Sequence, residues 1–151
     1  MAAKLNDFVQ RSSAINAFIT FFYGELNTES GAFVYVNAGH NHPFILDVSG
    51  KARFLETTGL CLGMLPDMTY EERADGIAPG ETLVLFTDGI IESRNAAEEE
   101  YGTDRLIDVC RKSMAANACE IMESVFRDLD AFTSKAPPAD DRTLVIVKQA
   151  C

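Results

Sequence analysis

The sequence predicts an α+β domain: mostly antiparallel strands, with two helices inserted before the last strand. Three observations predict it. Runs of β-branched and aromatic residues, separated by short turn signals, recur from residue 17 to residue 87. The apolar period then becomes helical between Leu106 and Leu129. Finally "RTLVIV", residues 142–147, returns to strand character. Strands followed by helices, rather than strict alternation, argue for an α+β layered arrangement.

Taken in order, residues 2–14 place Leu5, Phe8 and Val9 at helical spacing and predict a short amphipathic helix. Residues 17–26, "AFITFFYGEL", read as a largely buried strand. "NTESG" is a turn, and "AFVYVN" a second strand, antiparallel to the first. "PFILDV", Ser49-Gly50 and "KARFLE" make a hairpin. A loop punctuated by Gly and Pro, "TTGLCLGMLPD", leads to an edge strand at 69–74, a turn at Pro79-Gly80 and a central strand at 82–87. Leu106, Ile107, Cys110 and Met114 form one helical face; Ile121, Met122, Val125, Phe126 and Leu129 form another. Asn117 and Glu120 have the spacing of a capping box. "TSKAPPADD" is the loop before the closing strand.

At 151 residues the chain is the size of one domain able to bury its own core, and no repeat or internal boundary interrupts residues 1–151. Thirteen Lys and Arg against 23 Asp and Glu leave a formal charge of −10. Such a surface does not displace phosphate counterions or seek anionic lipid, so neither nucleic acid nor membrane is an expected partner. The four cysteines, Cys61, Cys110, Cys119 and Cys151, have neither zinc spacing nor a C-x-x-C pair. Two of them fall on apolar helical faces, where a thiol packs as a small hydrophobe; a reduced, cytoplasmic setting is expected.

No phosphate-binding glycine loop, dinucleotide fingerprint, thiolate phosphatase loop or G-x-S-x-G elbow is present. His40 and His42 in "AGHNH" would share one face of a strand, half of a zinc site, but no third His exists. Loop histidines making structural hydrogen bonds are the better reading. Asp88 follows the strand at 82–87, and Asp140-Asp141 precede the strand at 142–147. If those strands are neighbours, their carboxylates converge at one sheet end and offer oxygen ligands for Mg²⁺ or Mn²⁺. The residues alone leave a second reading open. Asp88-Gly89 between apolar runs is also a strong hairpin signal, with Asp140 and Asp141 in a loop or cap.

"FVYVNAGHNHPFIL", "GLCLGM", "GETLVLFTDGIIESRN", "YGTDRL" and "DDRTLVIVK" occur here in an order and spacing that resemble the metal-dependent protein phosphatase (PPM) family. The resemblance is strongest to its bacterial SpoIIE/RsbU-like branch, and it covers residues 18–148. It implies a layered α-β-β-α sandwich of antiparallel sheets. It also implies Mg²⁺ or Mn²⁺ at one end, and hydrolysis of phosphoserine or phosphothreonine by a metal-activated water. Carried over by position, Asp88 and Asp140 would be metal ligands. Gly89 and Asp141 would support them, with Asp141 orienting its partner, and His40 and Asn41 would border the site. The branch acts in signal transduction and sigma-factor regulation. Its usual substrate is a phosphorylated anti-anti-sigma (STAS) protein, and a sensory domain commonly lies upstream.

Two departures qualify the resemblance. The family begins with an early "GGD" strand and a "D-x-S-G-H-G" segment whose Asp bridges two metals, and neither occurs in these residues. Residues 1–13 resemble a later helix, so the expectation is a fold missing its first strands and a chain inactive by itself. A two-metal clamp, with ions about 3.5–4 Å apart, is not assembled from these acids. Uncovered sheet edges would favour a homodimer. The alternative function is a catalytically dead PPM-like binding module in a partner-switching pathway. The second departure is Glu98, where the family often has Gly.

Overall fold

The computed structural model describes residues 1–12, 17–134 and 136–150. In chain order its elements are α1 (Ala2–Ser12), β1 (Phe21–Leu26), β2 (Ala32–Ala38), β3 (Phe44–Leu46), β4 (Ala52–Phe54), β5 (Arg73–Gly76), β6 (Thr82–Phe86), α2 (Asp88–Ile91), α3 (Thr103–Lys112), α4 (Ala118–Phe132) and β7 (Leu144–Lys148). They divide between two compact units. Met1–His42 with Leu55–Ile77 form the first; Pro43–Phe54 with Ala78–Cys151 form the second. The α+β class and the antiparallel pairing follow the expectation from sequence.

In the first unit β2 lies between β1 and β5 and pairs antiparallel with both. The turn at 27–31 forms because the Asn27 side chain accepts the amides of Glu29 and Ser30, while Gly31 takes φ +71°. Phe22, Phe33 and Tyr35 stack in series, with centroids 5.7–6.4 Å apart. The expected buried strand at 17–26 is corrected. Its strand is β1, no residue of which is fully buried; Ile19 adds only an isolated bridge to Leu62, and Phe18 and Ile19 are exposed. An aromatic, β-branched run specifies strand propensity but not how many neighbours cover it, and β1 pairs only with β2 among the described residues. The edge strand expected at 69–74 forms later, at β5, where pairing with β2 sets the register.

The helix expected at 2–14 is described as α1; residues 13 and 14 lie outside the described residues. Its buried line is Ala2, Asn6 and Val9; of the expected stripe Val9 is buried and Leu5 packs against its cluster, but Phe8 is exposed. The reason is polar. Asn6 donates to the Leu65 carbonyl at 3.0 Å and accepts from the Gly63 amide at 2.9 Å and the Tyr70 hydroxyl at 3.1 Å. Three directional bonds fix the helix rotation and leave Phe8 outside.

In the second unit the strand order is β4-β3-β6-β7, all antiparallel, with β6 in the interior of the sheet. The β3–β4 hairpin is closed by Asp47, whose carboxylate accepts from the Ser49 amide and hydroxyl and the Lys51 amide. The Ser49 hydroxyl is the main cause that holds the Asp47 carboxyl below its ordinary range. Phe44, Leu46, Val84 and Phe86 pack with Leu106, Ile107 and Cys110 of α3 and Ile121, Val125 and Leu129 of α4. The Asn117–Glu120 capping box forms with both bonds at 3.0 Å. Burial pushes the Cys110 thiol up to about 12, which suits an inert core residue. Cys119, in contrast, is exposed: of the two helical thiols only one packs inward, and Cys151 lies outside the described residues. Met114 falls past the end of α3 and is half-buried. Arg53 on β4 forks onto Glu81 with two bonds of 2.7 Å, and Glu81 also accepts the Ala78 amide. That fork is the main cause holding the Glu81 carboxyl below its ordinary range. Among the described residues no helix is long and apolar enough to cross a membrane.

Candidate functional site

The end of β6 and the start of β7 are neighbours, because Phe86 is the antiparallel partner of Leu144. Asp88 lies two residues beyond that pair on one chain segment, and Asp140 and Asp141 lie four and three residues before it on the other. The condition set from sequence, that these strands adjoin, is therefore met. The hairpin reading of Asp88-Gly89 is not: Asp88 opens the short helix α2 instead of reversing the chain into a paired strand.

Three local features produce this strand-to-helix turn. Thr87, at the N-cap position, is extended (φ −93°, ψ 163°), and its carbonyl accepts the Ile90 amide at 3.1 Å. Ile90 is fully buried in the α3–α4 cluster and anchors the turn. Gly89 permits a close backbone approach: a Cβ there would overlap the Asp141 carbonyl oxygen and lie 2.9 Å from its carbonyl carbon. The segments carrying Asp88 and Asp140-Asp141 are thus in van der Waals contact through backbone.

Thr87 ties the same segments by hydrogen bonds. Its amide donates to the Thr143 carbonyl at 3.1 Å. Its hydroxyl donates to the Asp141 carbonyl at 3.0 Å and accepts the Thr143 amide at 3.0 Å. The side chains of Asp88, Asp140 and Asp141 are on exposed residues. Asp88 Oδ1 accepts the Gly89 amide at 3.0 Å, and Asp140 Oδ1 accepts the Asp141 amide at 2.7 Å. Each carboxylate is thereby held by the backbone that follows it, with its remaining lone pairs open to a cation. Oxygen donors of this kind suit a hard divalent ion. The described residues contain no group of three or more His, Cys, Asp or Glu placed to hold a metal ion together, so the two aspartate segments offer a partial donor set.

His40 and Asn41 belong to the first unit, beyond the end of β2. The His40 amide donates to Asn37 Oδ1 at 2.9 Å, and its ring Nδ1 lies 3.5 Å from the Thr20 hydroxyl. The His42 ring lies 2.9 Å from the Thr57 hydroxyl and 3.6 Å from the Glu56 carboxylate. Both histidines make loop hydrogen bonds, as the structural reading of "AGHNH" expects. Asn41 is half-buried in the same loop.

The sequence reading missed Thr87. Its only local signal was a hydroxyl residue between a strand and Asp-Gly. The departure at Glu98 acquires a physical meaning. That residue has φ +61°, a left-handed conformation in which Gly carries no steric cost. It sits in a turn where Asn95 Oδ1 accepts the Ala97 and Glu99 amides and Arg94 pairs with Glu100 at 2.8 Å.

The family model of stage II sporulation protein E (SpoIIE) matches residues 1–150. The chain belongs to the SpoIIE family. Over 143 residues it is 32% identical to Protein IcfG of Synechocystis sp., a match covering 94% of this chain and 22% of that protein. Over 149 residues it is 29% identical to the phosphoserine phosphatase RsbU of Bacillus subtilis, covering 97% of this chain and 43% of RsbU. The manganese-presoaked structure of the phosphatase domain of the cell fate determinant SpoIIE from Bacillus subtilis superposes with a TM-score of 0.69 at 16% identity. That match covers 99% of this chain and 64% of the other, and it shows a shared fold. The chain spans less than half the length of these two curated relatives.

Proposed function

We propose that residues 1–151 form the later part of a SpoIIE-like serine/threonine phosphatase domain, in which Asp88 and Asp140 bind Mg²⁺ or Mn²⁺. The observation that carries this reading is the bracing of the two aspartate segments against each other by Thr87 and Gly89 at one end of the β6–β7 pair. Support also comes from membership of the family, from a relative that is a phosphoserine phosphatase, and from a fold-mate presoaked with manganese.

In this role Asp88 and Asp140 supply anionic oxygens to the ion. The Asp141 amide orients Asp140, and Gly89 allows the two segments to close. A bound divalent ion supplies Lewis acidity and lowers the pKa of a water that attacks phosphorus. The substrate we assign is a phosphorylated anti-anti-sigma (STAS) protein, in the cytoplasm, under control of an upstream sensory domain. With only a partial donor set among the described residues, the chain by itself should turn over little substrate. The same observation favours one other reading, a metal-poor binding module in a partner-switching pathway.

Calorimetric titration with Mn²⁺ tests the assignment. The chain should bind the ion, and Asp88→Asn and Asp140→Asn should each weaken binding by about tenfold or more. Equal affinity in all three proteins would refute the ligand assignment. If no protein binds Mn²⁺ while the chain still captures a STAS protein, the binding-module reading takes its place.

A further inference from the structure

We propose that Thr87 is a positioning residue of this site: its hydroxyl sets the spacing between the Asp88 and Asp140 segments. This inference rests on the metal-site reading above and adds to it the element that holds the two ligands in register.

The β6–β7 ladder ends at the Phe86–Leu144 pair, so the next antiparallel partners would be Thr87 and Thr143. In a continuing ladder such opposite residues exchange two backbone bonds. Only one is present, from the Thr87 amide to the Thr143 carbonyl. The Thr143 amide goes instead to the Thr87 hydroxyl at 3.0 Å. The hydroxyl therefore replaces Thr87's own carbonyl in the ladder and releases that carbonyl to accept the Ile90 amide and begin α2. One side chain lets the chain leave the strand at residue 87 without breaking its tie to β7. Asp88, the next residue, is aimed by that exit.

The same hydroxyl uses its single proton on the Asp141 carbonyl at 3.0 Å. That carbonyl is also the group a Cβ on Gly89 would strike. The hydroxyl pulls the Asp140-Asp141 backbone in, and the bare Gly89 Cα lets it arrive. Thr87 is not acting as an ordinary helix cap, because its side chain makes no bond to an α2 amide. Its bonding capacity goes across the sheet, to both sides of Arg142 and toward Asp140.

The test compares Thr87→Val, Thr87→Ser and Gly89→Ala with the parent chain and with Asp88→Asn. Mn²⁺ affinity is read by calorimetry well below each protein's melting temperature, and fold by two-dimensional amide spectra. Valine keeps the shape and branching but can neither donate nor accept, so Thr87→Val should weaken Mn²⁺ binding by about tenfold, as loss of an orienting partner does at metal sites. Its largest spectral changes should fall on the Thr143 amide and the Asp140–Asp141 segment. Thr87→Ser keeps the hydroxyl and should bind within about threefold of the parent. A purely structural role would lower the melting temperature of Thr87→Val yet leave affinity at low temperature unchanged, and that result overturns the proposal. If Thr87→Val does not fold, Gly89→Ala decides: affinity equal to the parent's overturns the proposal, and a drop of about tenfold supports it. A loss in Asp88→Asn with none in the folded Thr87 variant refutes positioning while leaving the ligand reading intact. Unchanged binding in Asp88→Asn refutes both.

Discussion

Helices α4 and α1 are both amphipathic, yet they are anchored by different physics. The inward line of α4 is Ile121, Val125 and Leu129, packed with α3 and the β3–β6 strands in one apolar cluster of the second unit. The inward line of α1 is Ala2, Asn6 and Val9; only Val9 joins the cluster with Ala38 and Leu62, and Asn6 makes three hydrogen bonds. Area holds α4; direction holds α1. Apolar burial tolerates some rotation of a helix, whereas an amide with three partners at defined positions does not. This is why the rotation of α4 could be read from its pattern and that of α1 could not.

Truncating the apolar anchor should have the largest effect. Leu129→Ala should cost about 2–5 kcal/mol, through lost transfer energy and the cavity left behind. Val9→Ala removes two methyl groups and should cost about 1–2 kcal/mol. Urea denaturation of both variants checks the ranking, and equal losses would break the distinction between the helices. Next comes the polar anchor. Asn6→Leu keeps the size but strands the Gly63 amide, the Leu65 carbonyl and the Tyr70 hydroxyl, at a cost of about 1–3 kcal/mol. Native-state hydrogen exchange should show faster exchange at Gly63 with α4 amides unchanged. The smallest effect lies away from both helices. Glu98→Gly relieves a left-handed residue but loosens the unfolded chain, for a net gain of about 0.5–1 kcal/mol, visible as a small rise in melting temperature.

Element types were largely legible because each depends on local pattern. The capping box at Asn117–Glu120, the β3–β4 hairpin and the helical faces of α3 and α4 are all short-range features, and each forms. Burial was less legible. "AFITFFYGEL" has strand composition, but whether Phe18 and Ile19 are covered depends on neighbours that composition does not name. Cys119 misled for the same reason: one residue's offset around α4 separates the buried line from solvent.

For the candidate site, the sequence by itself determined which donor groups are available. Two acidic segments flank two strand patterns, and oxygen donors select hard cations whatever the fold. It left Asp88-Gly89 divided between hairpin turn and ligand, since local φ preferences are the same for both. The tertiary structure removed the hairpin, because Asp88 opens α2 instead of reversing the chain. Pairing of β6 with β7 brings Phe86 and Leu144, 58 positions apart in the chain, side by side at one end of the sheet. The hydroxyl of Thr87 and the missing side chain of Gly89 then close the gap to Asp141. Hydrogen bonds and van der Waals contact act over a few ångströms in space. A chain read one residue after another holds the groups that will make them, but not the distances between them.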